Sequence, residues 1–287
     1  MTHFTLRDNV PINKLKEFPT MTRYLLIFIF LLNIPLISAN ADEEKAQVAG
    51  ISTQDLTPFN PTDDIMRDVD DTLVRAKKKG KLAMFVMGAN WCHDSIGLAH
   101  HFSHPDIAKL VADRYETIFV DVGFLDKSFE VIKRFGTPVI YGTPTVIIVD
   151  PENNNVVNRN DMHTWRDAYK MSLFEVGQYF RNMAKPEARE LEEMPAETLM
   201  ALYARIDAFE EYQAKRIYKG FSIVGPILAS KDRSKEAMQK WVALSKFRYK
   251  ITEDLADLRT KARESVLAGE TDISLEFPEY VAFEWEE

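Results

Sequence analysis

Leu82-Ala83-Met84-Phe85-Val86-Met87-Gly88-Ala89-Asn90-Trp91-Cys92-His93-Asp94-Ser95 contains an abrupt change of pattern. Residues 82–87 are a continuous apolar run of strand length, as expected for a strand buried on both faces. From Cys92 to about His101 the pattern becomes helical. A cysteine at a helix start faces unpaired backbone N–H groups and the positive end of the dipole, which stabilise thiolate over thiol. Ser95 lies one turn on, close enough to donate a hydrogen bond to that thiolate. Asp94 repels a thiolate in the same turn, whereas protonated His93 favours it, so the sequence leaves the balance open.

The flanking segments extend the alternation. Residues 61–79 suit a helix with Asp63 and Asp64 in its first turn, Lys77, Lys78 and Lys79 in its last and Gly80 as its stop. Ser103-His104-Pro105 restarts a second helix with proline at its opening. Residues 116–122 form a second buried strand, 127–135 a helix and 145–149 a third strand. A turn over 151–155 leads into a short partner strand, and the Ser172–Glu175 capping box opens a helix running to about Met183. The predicted order is α-β-α-α-β-α-β-β-α, a compact α/β sheet domain.

Beyond Lys185 the sequence is charged and helical. Leu199, Leu202, Tyr203, Ile206 and Phe209 form one apolar stripe. Met238, Trp241, Leu244, Phe247, Ile251, Leu255, Leu258, Ala262 and Val266 form another, at about 3.5 residues per step. Two helices joined near Gly225-Pro226 predict an antiparallel hairpin. Its apolar faces pack on each other and on the α/β domain, or serve a dimer or partner interface.

The chain of 287 residues carries a net charge of −8, so it lacks the basic footprint that nucleic acid requires. Its single cysteine, Cys92, excludes an intramolecular disulfide and a four-thiolate zinc site. His100, His101 and His104 invite a metal reading, with His100 and His104 at i, i+4 spacing, but Pro105 interrupts the helix and no carboxylate partner is evident. They are expected to be solvated histidines near a helix end, with no metal and no cofactor. Phe135 and Tyr141 are expected in the core. Residues 24–39 are largely apolar, follow Arg23 and end at Ala39-Asn40-Ala41, which predicts a secretory signal over 1–41, possible also from a start at Met21. The expected location is periplasmic or secreted, with an anchor over 24–39 as the alternative. Residues 42–60 then form a linker, 61–185 the α/β domain and 186–287 the helical extension.

Trp91-Cys92-His93-Asp94-Ser95, together with Gly142-Thr143-Pro144-Thr145 and the strand behind it, resembles the active-site turn and cis-proline loop of the thioredoxin superfamily. The resemblance implies an α/β thioredoxin fold, a central mixed sheet flanked by helices, with a C-terminal α-helical extension. It also implies Cys92 as an exposed nucleophile, a cis Thr143–Pro144 bond, and a substrate groove lined by Trp91, His93, Thr143 and Pro144. The chain departs from the dithiol pattern at Ser95, where the family carries its second cysteine. A mixed disulfide at Cys92 has no internal resolving thiol, which leaves a monothiol reaction with protein thiols or disulfides, glutathione or a partner oxidoreductase. A non-catalytic module that holds a peptide in the groove is the alternative, and a metal relay through Cys92 and the histidines is a third.

Overall fold

The computed structural model describes residues 56–183 and 197–286. The expected signal peptide, most of the 42–60 linker and the start of the extension lie outside the described residues. Within them the elements are α1 (Ile65–Lys79), β1 (Leu82–Gly88), α2 (His93–Ser103), α3 (Pro105–Arg114), β2 (Tyr115–Asp121) and α4 (Phe129–Arg134). They are followed by β3 (Thr145–Asp150), β4 (Asn155–Val156), a 3-10 helix (Thr164–Lys170), α5 (Leu173–Asn182), α6 (Glu197–Ser230) and α7 (Lys235–Leu267).

Strand β1 is buried along its whole length because it is central. The sheet order is β2-β1-β3-β4, with β1 parallel to β2 and antiparallel to β3, so the sheet is mixed. Alternate residues of β1 feed two cores. Ala83, Phe85 and Met87 pack with α1, α4 and the C-terminal helices, while Leu82, Met84 and Val86 pack with α2, α3 and α5. Full burial of such apolar side chains stabilises by roughly 1.5–3 kcal/mol for each large one, which suits a run that contains no polar side chain.

Helix α1 starts four residues later than the sequence predicts. Asp64 is its N-cap, its carboxylate accepting from Arg67 N at 3.0 Å, so Pro61 stays outside. Gly80 ends it in the left-handed conformation, φ 67°, which costs glycine little. The end of the expected linker also departs from expectation. Phe59 is fully buried, packs edge-on to Phe119 at 5.3 Å, and exchanges backbone hydrogen bonds with the Asn90 side chain. The folded domain therefore begins before residue 61.

The sheet domain and the C-terminal helices belong to one compact unit. Helices α6 and α7 form the expected hairpin, but its turn is not at Gly225-Pro226: α6 runs through Pro226 to Ser230. Gly225 has a different task. A Cβ there would lie 2.6 Å from the Phe124 carbonyl oxygen, so the glycine lets α6 lie close against the loop after β2. In α7, Leu244, Phe247, Ile251, Leu255, Leu258 and Ala262 are buried, whereas Met238 is exposed. The stripe packs against α6 and continues one of the two sheet cores. No described helix is long and apolar enough to cross a membrane.

Candidate active site around Cys92

Cys92 is the N-cap of α2, with extended backbone (φ −88°, ψ 116°), and Ile96 N donates to its carbonyl at 3.0 Å. The sulfur meets Thr143 across the fold. The Thr143 hydroxyl donates to Sγ at 3.2 Å, and the thiol can donate to the Thr143 carbonyl at 3.3 Å. The carbonyl can serve only the protonated thiol, whereas the hydroxyl can serve thiol and thiolate alike. The Thr143–Pro144 peptide bond is cis. The 92–95 turn and the proline loop thus meet at one corner of the sheet.

Two expected roles need correction. Ser95 does not serve the sulfur: it is fully buried, and its hydroxyl accepts from Ala89 N at 3.4 Å, closing the turn after β1. Cys92 is not exposed either. It keeps 9% of its surface, and Pro144 beside it is buried. What stands over this corner is α7. Trp241 meets the Trp91 ring edge-on at 6.3 Å, while Trp91 stacks on Phe124 and donates from Nε1 to Gly123 O at 2.7 Å. Arg166 lies against Gly142, stacks on Tyr249 at 4.2 Å and donates to Thr252 Oγ1. The extension therefore occupies the side on which the groove was expected.

His93 is exposed, with its ring centroid 3.9 Å from that of Tyr169. Asp94 faces the 3-10 helix, where it accepts from Tyr169 N at 3.2 Å. Burial pushes its carboxyl above the usual carboxylate range, against that hydrogen bond and the nearby His93. The same 3-10 helix corrects the reading of the histidines. His101 is buried and bonds Ala168 O through Nε2 at 3.0 Å, and desolvation lowers its pKa. His100 and His104 each hold a buried ring nitrogen without a hydrogen-bond partner. Among the described residues no group of three His, Cys, Asp or Glu side chains is arranged to hold a metal ion. Phe135 stacks on Phe85 at 5.1 Å in the core. Tyr141 is buried too, and its hydroxyl donates to Glu210 of α6 at 2.8 Å.

Arg248 was missed from the sequence. It is buried in α7, its guanidinium 5.3 Å from the Trp241 ring and 5.5 Å from the Phe221 ring. Nη2 reaches Ser245 Oγ at 3.3 Å, whereas Nε and Nη1 are buried without a partner. A signal was present: Arg248 lies four residues after Leu244 and three before Ile251, on the apolar stripe itself.

Residues 64–151 match the family described as thioredoxin-like. With the mixed four-stranded sheet and its flanking helices, this makes the sheet region a thioredoxin-like domain carrying a C-terminal helical region. The crystal structure of a disulphide isomerase from Xylella fastidiosa Temecula1 is similar in part. It is 26% identical, spans 45% of this chain and 98% of its own, and has a TM-score of 0.42. No curated protein matches the chain.

Proposed function

We propose that this protein is an exported, monothiol thioredoxin-like protein that performs thiol–disulfide exchange through Cys92. The observation that carries the reading is the Cys92 sulfur at the start of α2, hydrogen-bonded by the Thr143 hydroxyl beside the cis bond to Pro144. In the first step the Cys92 thiolate attacks one sulfur of a disulfide. The new S–S bond is a mixed disulfide, and the other sulfur leaves as a thiolate. An outside thiolate then attacks that bond and restores Cys92, since Ser95 supplies no second sulfur. The small exposed surface of Cys92 favours a compact partner such as glutathione. A protein disulfide or a partner oxidoreductase gains access when α7 moves.

The test is incubation of the reduced protein with oxidised glutathione, followed by mass spectrometry of the Cys92 peptide. A glutathione adduct that Cys92→Ser lacks is the expected result; exchange that survives this substitution would overturn the reading. Ser95→Cys is expected to close an intramolecular disulfide under mild oxidation, to release its mixed disulfide without an added monothiol, and to turn over when a dithiol such as dithiothreitol is supplied to reduce it again. The burial of Cys92 favours one other reading, a binding module whose cysteine is inert, and a sulfur that no disulfide modifies is its signature. Export is tested by N-terminal sequencing of the protein from cells. Asp42 as the first residue is expected, and an intact Met1 or Met21 on a membrane-bound protein would establish the anchor instead.

A further inference from the structure

Residues 273–283, beyond α7, have no regular secondary structure, yet they are bound along the α6–α7 hairpin. Leu275 is buried, and three aromatic residues at three-residue spacing follow it. Phe277 meets Phe209 of α6 at 5.1 Å, while Tyr280 and Phe283 meet Phe247 of α7 edge-on at 5.2 and 5.0 Å. The far end is clasped by Arg216 of α6. Its Nε and Nη2 donate to the two carboxylate oxygens of Glu286 at 2.8 Å each, and Nη2 donates to Val281 O at 2.8 Å. The two side chains are only 12% and 14% exposed, and the guanidinium also lies over the Phe247 ring at 4.6 Å. A bidentate pair so shielded fixes its geometry, which an exposed ion pair does not.

Phe247 is where this grip meets the cover over Cys92. The buried stripe of α7 begins in earnest at Leu244; between Lys235 and Ala243 only Ala237 is buried. Turns with so little buried surface open locally at low cost. Trp241, which meets Trp91 beside the sulfur, lies in these turns. So does Lys240, whose pKa is raised foremost by Glu236 and further by Glu284 of the bound segment. Helix α6, by contrast, is fixed to the sheet domain on its own account. Tyr218 donates to Pro138 O at 2.7 Å, and Gly225 lies close against the Phe124 carbonyl. The segment therefore ties the weakly held start of α7 to a firmly held α6. We infer that residues 275–286 are a strap that braces the first turns of α7 over Cys92, and that its release admits protein disulfides to the sulfur. The second half of this statement rests on the exchange reaction proposed above; the first half does not.

The experiment uses the reduced full chain and two variants. Glu286→Arg sets a like charge against Arg216, and Phe283→Ala removes the contact with Phe247 without changing any charge. Release of the strap is read by chymotrypsin, which should cut after Phe277, Tyr280 or Phe283 at least tenfold faster in both variants. The rest of the fold is read by trypsin, because no lysine or arginine lies between Arg263 and position 286. Its pattern of earlier cuts should stay as in the natural protein. Iodoacetamide should then modify Cys92 at least fivefold faster in each variant, and oxidised glutathione, being bulkier, should gain more. Agreement of the uncharged variant with the charged one separates loss of the brace from an altered field at the thiolate. A strap that chymotrypsin opens while the iodoacetamide rate stays unchanged would overturn the inference, as would a strap that stays protected in both variants. Faster iodoacetamide with no glutathione adduct in any form of the protein defeats the exchange reading and leaves the brace. An unchanged iodoacetamide rate defeats the brace even where the adduct forms.

Discussion

His163 shows how one side chain senses the proline loop. Its Nδ1 lies 3.3 Å from Thr145 Oγ1, and that hydroxyl already donates its proton to Gly142 O at 2.8 Å. The imidazole must therefore donate from Nδ1, which fixes the neutral tautomer. Desolvation, aided by Arg166, lowers its pKa to about 3. An unfolded histidine titrates near 6.5, so between these values the unfolded chain binds a proton that the folded one refuses. Stability is therefore full above pH 6.5 and falls as the pH drops toward 3, by at most about 1.4 kcal/mol per pH unit from this group. The residue keeps some exposed surface, so a gentler slope is expected than for a fully enclosed ring. Urea denaturation at pH 7.5 and pH 5 should show a smaller loss in His163→Asn than in the natural protein. Equal losses would assign the acid sensitivity to other groups.

Helix α6 is fastened to the proline loop through a buried acid. Glu210 accepts from the Tyr141 hydroxyl at 2.8 Å and from Arg259 of α7 at 2.6 Å, and Arg259 also pairs with Asp207. Tyr141→Phe removes one donor from a carboxylate that is 7% exposed, without opening a cavity. A loss of about 1–3 kcal/mol is expected, read as a lower denaturation midpoint with an unchanged slope. This contact also marks the limit of what the sequence discloses. The buried run at 82–87, the capping box at Ser172 and the spacing of the second apolar stripe are local patterns, and the fold realises each of them. The meeting of Cys92 with Thr143 was legible only through resemblance, because nothing local links residues so far apart. Ser95 misled, since a hydroxyl one turn from a thiol can as well turn inward, and Ala89 N takes it. Gly225-Pro226 misled in a similar way: a turn signal in isolation, it is a close-packing site inside a long helix once Phe124 is present. The 3-10 helix at 164–170 has no apolar period to announce it. It is held by contacts with α2, including Asp94 to Tyr169 N and His101 to Ala168 O.

The helical extension does two separable things, and cutting it away confounds them. It completes the core: Phe221 stacks on Phe129 at 6.0 Å, Tyr218 donates to Pro138 O at 2.7 Å, and the α6–α7 side chains share a cluster with Phe85, Val131 and Ile140. A protein ending at residue 185 should therefore expose apolar surface, bind a hydrophobic dye and lose solubility. The extension also stands over the sulfur, through the contact of Trp241 with Trp91. A point substitution separates the two. Trp241 is only partly buried, so Trp241→Ala should cost less than the roughly 3–5 kcal/mol of a fully buried tryptophan and leave a folded protein. If α7 restricts access, iodoacetamide should modify Cys92 several-fold faster in this variant, with little change in circular dichroism. Oxidised glutathione, being bulkier, should gain more than iodoacetamide. The ratio of the two gains distinguishes a steric cover from a change in the thiolate itself, because an altered charge environment would speed both reagents alike. Equal rates in the variant and the natural protein would mean that Trp241 packs beside the site without closing it, and that Cys92 is reached by another route.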